Sequence, residues 1–200
     1  MTDKFNMAER RNVQDSLYDA ICDGDFKSAN FCLQNGAKVN AMGPSWMSDK
    51  MKTFPLQLSI SMLAISSSLE RLEIVRIIIQ NGAKINTKNQ HGSSPLHFAV
   101  RTKELEVVKL LVQSGADINV KDLKNQSPLD IAHKNGYITI VNYLMKVARD
   151  GLFDAICEAD LERVKLCLEN GAQINLNLKN RRTPSLPRVF FKKIFGFPLY

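Results

Sequence analysis

Apolar residues recur along this chain at intervals of three and four, the spacing that lays a stripe along one side of a helix. Ile74, Ile77 and Ile78 form one such run, and Val107, Leu110 and Leu111 another. Near-copies of one phrase close these runs: Asn35-Gly-Ala-Lys-Val-Asn40, Asn81-Gly-Ala-Lys-Ile-Asn86, Ser114-Gly-Ala-Asp-Ile-Asn119 and Asn170-Gly-Ala-Gln-Ile-Asn175. A glycine directly after an apolar stripe suits a left-handed C-terminal cap. A second phrase opens two of the units, Ser94-Pro-Leu-His97 and Ser127-Pro-Leu-Asp130, with a weaker version in Phe54-Pro-Leu-Gln57. Serine before proline predicts a helix start: the hydroxyl caps free N–H groups, and proline at the first helical position loses no bond. Pro95 to Pro128 is 33 residues, as is Gly82 to Gly115. The predicted unit is therefore helix, short turn, helix, glycine stop and an extended loop.

That combination resembles the ankyrin repeat. His91-Gly-Ser-Ser-Pro-Leu-His-Phe-Ala-Val100 followed by Glu104 to Asn119 matches the family pattern almost throughout, and Asn125 to Leu144 makes a second good match. The resemblance covers roughly residues 14–182 and implies an all-α solenoid of stacked helix-turn-helix units with extended finger loops. It also implies that His97 hydrogen-bonds to backbone and braces neighbouring loops.

Departures from the pattern divide the chain. A lead-in of residues 1–13 is expected, then four repeats over 14–149, with a long finger loop at 41–54. Gly36 to Pro55 is six residues longer than Gly82 to Pro95, and Pro55 to Gly82 is seven longer than Pro95 to Gly115. Residues 150–182 form a fifth repeat of the kind that opens an array, since Leu152-Phe-Asp-Ala-Ile-Cys157 echoes Leu17-Tyr-Asp-Ala-Ile-Cys22. It starts with no Gly-Ala stop before it, so the stack is expected to bend or break near 149–151. Residues 183–200 are an unfinished sixth repeat, stopped by Pro187, with a basic aromatic tail.

Charge changes this picture little. The net charge is +7, but six of the basic residues follow Glu169 and no acidic residue does, leaving +1 for the rest. A duplex-binding protein needs a basic face on its folded body, so no specific nucleic-acid partner is expected. Four dispersed cysteines without a Cys-x-x-Cys pair argue for small buried hydrophobes in a reducing compartment, and against a metal site. No signal peptide or span of membrane length is read. A cytoplasmic monomer is expected, or one delivered into a host cell were the source an intracellular bacterium. No cofactor is expected, because the sequence has no Gly-rich phosphate loop and no nucleophile elbow. A catalytic His97 would need a nucleophile and an acid converging in a pocket. The chain is read as non-catalytic.

The resemblance implies a protein-protein interaction module, a scaffold or adaptor that reads a partner with finger tips and the ends of first helices. Carried onto this sequence, those positions are Lys50, Met51 and Thr53; Gln90, His91, Ser93, Arg101 and Thr102; and Leu123, Lys124, Gln126, Lys134 and Asn135. Trp46 in the long finger is added as either a binding anchor or a lid folded over the first two repeats. The rival reading is a membrane-associated adaptor. Its tail pairs Phe190 with Ile194 and Phe191 with Phe195 at helical spacing beside Lys192 and Lys193, which suits an anionic surface as well as a cap on the last repeat.

Overall fold

The computed structural model describes residues 12–43, 53–66 and 68–157, together with 160, 162 and 164. Eight α-helices and no strand occur among the described residues. They are α1 (Val13–Asp23), α2 (Phe26–Gln34), α3 (Pro55–Met62), α4 (Leu69–Gln80), α5 (Pro95–Arg101), α6 (Leu105–Gln113), α7 (Pro128–Lys134) and α8 (Ile138–Cys157). The chain divides into two compact units, with the boundary between Ile140 and Val141.

In the first unit α1 packs on α2, α3 on α4 and α5 on α6, so each repeat is a helical hairpin. The first helices α1, α3, α5 and α7 stack in one row, and α2, α4 and α6 in another. The apolar stripes meet between the rows. Leu17, Ile21, Leu56, Ile60, Leu96, Ala99, Val100, Ile131 and Ala132 fill one side, and Ile74, Val75, Ile78, Val107, Val108 and Leu111 the other. Leu110, expected in the core, is only half-buried. Its neighbour Leu111 is fully buried and takes the central place.

Local chemistry sets the helix ends. Ser127 Oγ accepts from the Asp130 N–H at 3.1 Å while the Asp130 carboxylate accepts from the Ser127 N–H at 2.8 Å, a reciprocal cap at the Ser-Pro start. Asp25 and Ser68 cap α2 and α4 by accepting from Ser28 N–H and Arg71 N–H. At the far ends, Gly82 and Gly115 take φ of +82° and +87°, which an L side chain adopts only with strain. The residue before each donates back to the last turn: Asn81 Nδ2 to Ile77 O and Ser114 Oγ to Leu110 O, both at 2.8 Å.

The seven extra residues of repeat two fall mainly in its turn and its second helix, three in each, with one in its first helix. α4 has 12 residues against 9 in α6, and the extra turn lies at its start, Leu69-Glu70-Arg71. Arg71 uses that placement to reach the C-terminus of α1, donating to Ile21 O at 3.3 Å and Cys22 O at 3.0 Å. A cation on the last carbonyls of a helix offsets its dipole, so the insertion ties repeat two to repeat one. Lys103 stacks over the Tyr137 ring at 5.7 Å and ties the turns of the next two repeats.

The break expected near 149–151 is not a break in the helix. α8 runs for 20 residues through Arg149, Asp150 and Gly151. The reason lies in the sequence around Gly151. Without the Asn-Gly-Ala phrase nothing turns the chain, and a lone glycine with Ala148, Arg149 and Leu152 around it remains helical. The expected second helix of repeat four and first helix of repeat five are thus one rod. Ile140, Val141, Leu144 and Ala155 are buried along it.

Candidate functional site

The loops at residues 82–94 and 115–127 are built on one plan. Asn89 Oδ1 accepts from the N–H groups of His91 (2.9 Å) and Ser93 (3.0 Å), and Asp122 Oδ1 from those of Lys124 (2.9 Å) and Gln126 (3.0 Å). The backbone closes each tip a second time, Asn89 N–H donating to Ser93 O and Asp122 N–H to Gln126 O. Side-chain acceptors of this kind fold a tight turn without a sheet. Both residues stand five before the serine of a Ser-Pro start, a regularity that would have marked them in the sequence.

The two tips are fastened together. Leu123 N–H donates to His91 O at 3.0 Å, and Lys88 Nζ to Lys121 O at 3.3 Å. A Cβ on Gly92 would lie 2.9 Å from the Leu123 nitrogen, and Gly92 has φ +71°, so only glycine allows this approach. Behind the tips, Arg101 donates to Asp122 Oδ2 at 3.0 Å and Ser93 Oγ at 3.1 Å. Desolvation works against the buried Asp122 carboxylate. The N–H donors of Gln126 and Lys124, then His97 and the Arg101 guanidinium, outweigh it and hold the pKa below the ordinary aspartate value.

His97 performs the bracing role that the resemblance implies. Its Nδ1 accepts from the Ser94 N–H at 3.1 Å, which leaves the proton on Nε2 to donate to Gln126 O at 3.0 Å in the next loop. Gln57 takes the equivalent place in repeat two. It accepts from Thr53 Oγ1 at 2.8 Å and donates to Thr87 O at 2.8 Å. Tyr18 OH lies 2.9 Å from both Ala41 O and Thr53 O, binding the ends of the long finger to α1.

A second row of ties comes from the asparagines that end each Gly-Ala phrase. Asn40 grips the next repeat with both ends of its carboxamide: Nδ2 donates to Gly82 O at 2.9 Å and Oδ1 accepts from Lys84 N–H at 2.8 Å. Asn86 repeats the grip on Gly115 O and Asp117 N–H at 3.1 and 2.9 Å. Gln14 holds Lys38 in the same two-handed way at the start of the row. Asn119, next in the series, makes no such bridge among the described residues.

These bonds sort the expected partner-binding residues. Ser93 is a correction: it is 2 % exposed and its hydroxyl is taken by Arg101, so it belongs to the interior. Thr53, Thr102 and Gln126 are half-buried, with Thr53 bonded to Gln57 and Thr102 to Ala99 O. Arg101 is exposed, but its guanidinium is committed to the loop. Gln90, His91, Leu123, Lys124, Lys134 and Asn135 are exposed, and Leu123 is 77 % so. Trp46, Lys50 and Met51 lie outside the described residues, as does the tail with Phe190, Phe191, Lys192, Lys193, Ile194 and Phe195. Lys88 and Lys121 also stand at the tips and were not among the residues expected there. A lysine beside a tip has no pattern of its own, and only the contact between loops brings the two together.

Elsewhere on the unit, a groove of about 250 Å³ runs between α4 and α6, lined by Leu72, Arg76, Glu106, Val107, Lys109 and Leu110. Arg76 pairs with Glu73 and Lys109 with Glu106. Cys32 is buried, Cys22 half-buried, and burial followed by nearby aspartates pushes both thiols above their ordinary pKa. Cys157 and Cys167 have no described side chain. No helix among the described residues is long and apolar enough to cross a membrane.

The family model for ankyrin repeats (3 copies) matches this chain over residues 17–122 and 61–152. No curated protein matches it.

Proposed function

Since the chain belongs to the ankyrin-repeat family, whose repeats are generally protein-protein interaction modules, we propose that it is a non-catalytic scaffold or adaptor that docks a partner protein on its finger loops and first-helix ends. The observation that carries this reading is the rigid joining of two finger tips that place exposed side chains at their edge. Leu123 N–H on His91 O and the close approach at Gly92 hold the tips in register. A partner meeting them orders little of this chain, so few contacts are lost to conformational entropy. His91, Leu123, Lys124, Lys134 and Asn135 supply the contacts. Ser93, Asp122, His97 and Gln126 hold the tips from behind.

Site-specific photo-crosslinking tests the reading. A crosslinking residue at position 91 or 124 is expected to capture a discrete protein from cell extract, while one at position 76 or 109 on the second helices captures none. Equal capture from both sets of positions, or capture only from 76 or 109, would place the interface elsewhere.

A further inference from the structure

Charge is not spread evenly over the first unit. The finger loops among the described residues carry Lys38, Lys84, Lys88, Lys121 and Lys124, all exposed. Against them stand two aspartates. Asp122 is buried, and its carboxylate is consumed by Arg101 and two backbone N–H groups. Asp117 is exposed and accepts from the Asn119 N–H. The opposite edge, where first helix turns into second, holds Asp23, Asp25, Glu70, Glu73, Glu104 and Glu106, matched by Lys27, Arg71, Arg76, Lys103, Lys109 and Lys134. The finger edge is therefore the cationic side of a unit whose charges otherwise nearly balance.

At one place this cationic edge is built rather than diffuse. The bond from Lys88 Nζ to Lys121 O sets two lysines side by side, and Lys124 follows in the same tip. Between them Leu123 is fixed through its backbone to His91 O, with its side chain 77 % exposed. Leu123 covers no core. A large apolar side chain held on a closed turn that also carries lysines is suited to a ligand that pairs carboxylates with an apolar contact.

Resting on the finger edge as the partner-binding face, we infer that the joined tips recognise an acidic protein segment, with a large apolar side chain of that segment seated on Leu123 and its carboxylates on Lys88, Lys121 and Lys124. Nucleic acid is disfavoured by the same geometry. A phosphate backbone makes no use of an exposed leucine, and a duplex spans a basic surface wider than three lysines on two joined tips.

The test is selection of a random-peptide display library on the full chain, followed by affinity measurement of the enriched peptides on variants. Enriched peptides are expected to be rich in Asp and Glu around one large apolar residue. Their affinity is expected to fall about tenfold or more in the Lys88→Glu, Lys124→Glu double variant and to weaken as NaCl rises. Leu123→Ser should weaken them severalfold and cancel the advantage of the apolar residue. Lys27→Glu, Lys109→Glu, away from the tips, is the control and should leave affinity unchanged, with the circular dichroism of every variant matching the parent. Neutral or basic peptides that still lose binding in the tip variants would overturn the acidic class but leave the docking face standing. Peptides indifferent to the tip variants, or no enrichment above background, would overturn both. Duplex DNA bound as tightly as the peptides and indifferent to Leu123→Ser would replace peptide recognition with simple polyanion binding.

Discussion

His97 shows at the scale of one residue how stability depends on a protonation state. The buried imidazole spends Nδ1 as an acceptor and Nε2–H as a donor, so protonation removes the acceptor and places a charge in a desolvated site. Burial comes first among the causes that lower its pKa from 6.5. Arg101 and Lys88 act in the same direction, and the Gln126 carbonyl and Asp122 oppose them. The unfolded chain therefore takes up a proton before the folded one does as the pH falls. The contribution of neutral His97 is complete above about pH 6.5 and is lost below it. Urea midpoints should fall more steeply between pH 7 and 5 in the parent than in His97→Gln, and parallel curves would show that His97 does not titrate on unfolding. Leu111 and Leu110 make a second contrast. Leu111→Ala is expected to cost about 2–5 kcal/mol and Leu110→Ala about half as much, since its side chain is already part of an open groove. Equal losses in urea unfolding would mean that both leucines are equally enclosed.

At the scale of the element, α8 is decided by what is missing from its sequence. The other second helices end on Asn-Gly-Ala or Ser-Gly-Ala, whereas Met145-Lys-Val-Ala148 offers no residue that leaves the helix at low cost. Gly151 then sits inside the rod, with nothing within 4 Å of where a Cβ would stand. Gly151→Ala should stabilise α8 by about 0.5–1 kcal/mol, because alanine loses less backbone entropy in a helix. A turn at this position would instead hold glycine in a left-handed conformation, and the same substitution would destabilise. The sign of the change in thermal midpoint distinguishes the two. α4 is the complementary case, in which added residues lengthen a helix by nearly a turn and hand Arg71 to the neighbouring repeat.

At the scale of the molecule, the repeats of the first unit are coupled by backbone-gripping side chains as well as by apolar burial. Asn40 and Asn86 each satisfy two backbone groups of the next repeat, and in a solenoid such neighbour terms add to the stability of each repeat. Asn86→Ala is expected to lower stability by about 0.5–1.5 kcal/mol. Asn119→Ala, at a position without that bridge, should change it by less than about 0.5 kcal/mol. The Asn40→Ala, Asn86→Ala pair should be close to additive, because the two share no partner. Chemical denaturation of the single and double variants checks all three. A large effect at Asn119 would show that it too grips a backbone segment.

Period, helix starts and glycine stops were legible in the sequence because they are local. Ser-Pro, an apolar stripe and Gly-Ala each act within a turn or two of their own position, so the repeat period and the all-α architecture followed from spacing. The bracing role of His97 came through the family resemblance, and the exposed tip residues His91, Leu123 and Lys124 also followed from position in the repeat. Tertiary structure alone decided the rest. Ser93 and Lys88 are both polar residues of the same loop, yet packing between loops buries the first against Arg101 and brings the second to Lys121. No local pattern separates them, because burial and charge clustering depend on what a neighbouring repeat presents across the interface. The single helix at 138–157 was hidden for a related reason: a repeat boundary can be copied in sequence while the turn that would realise it is absent.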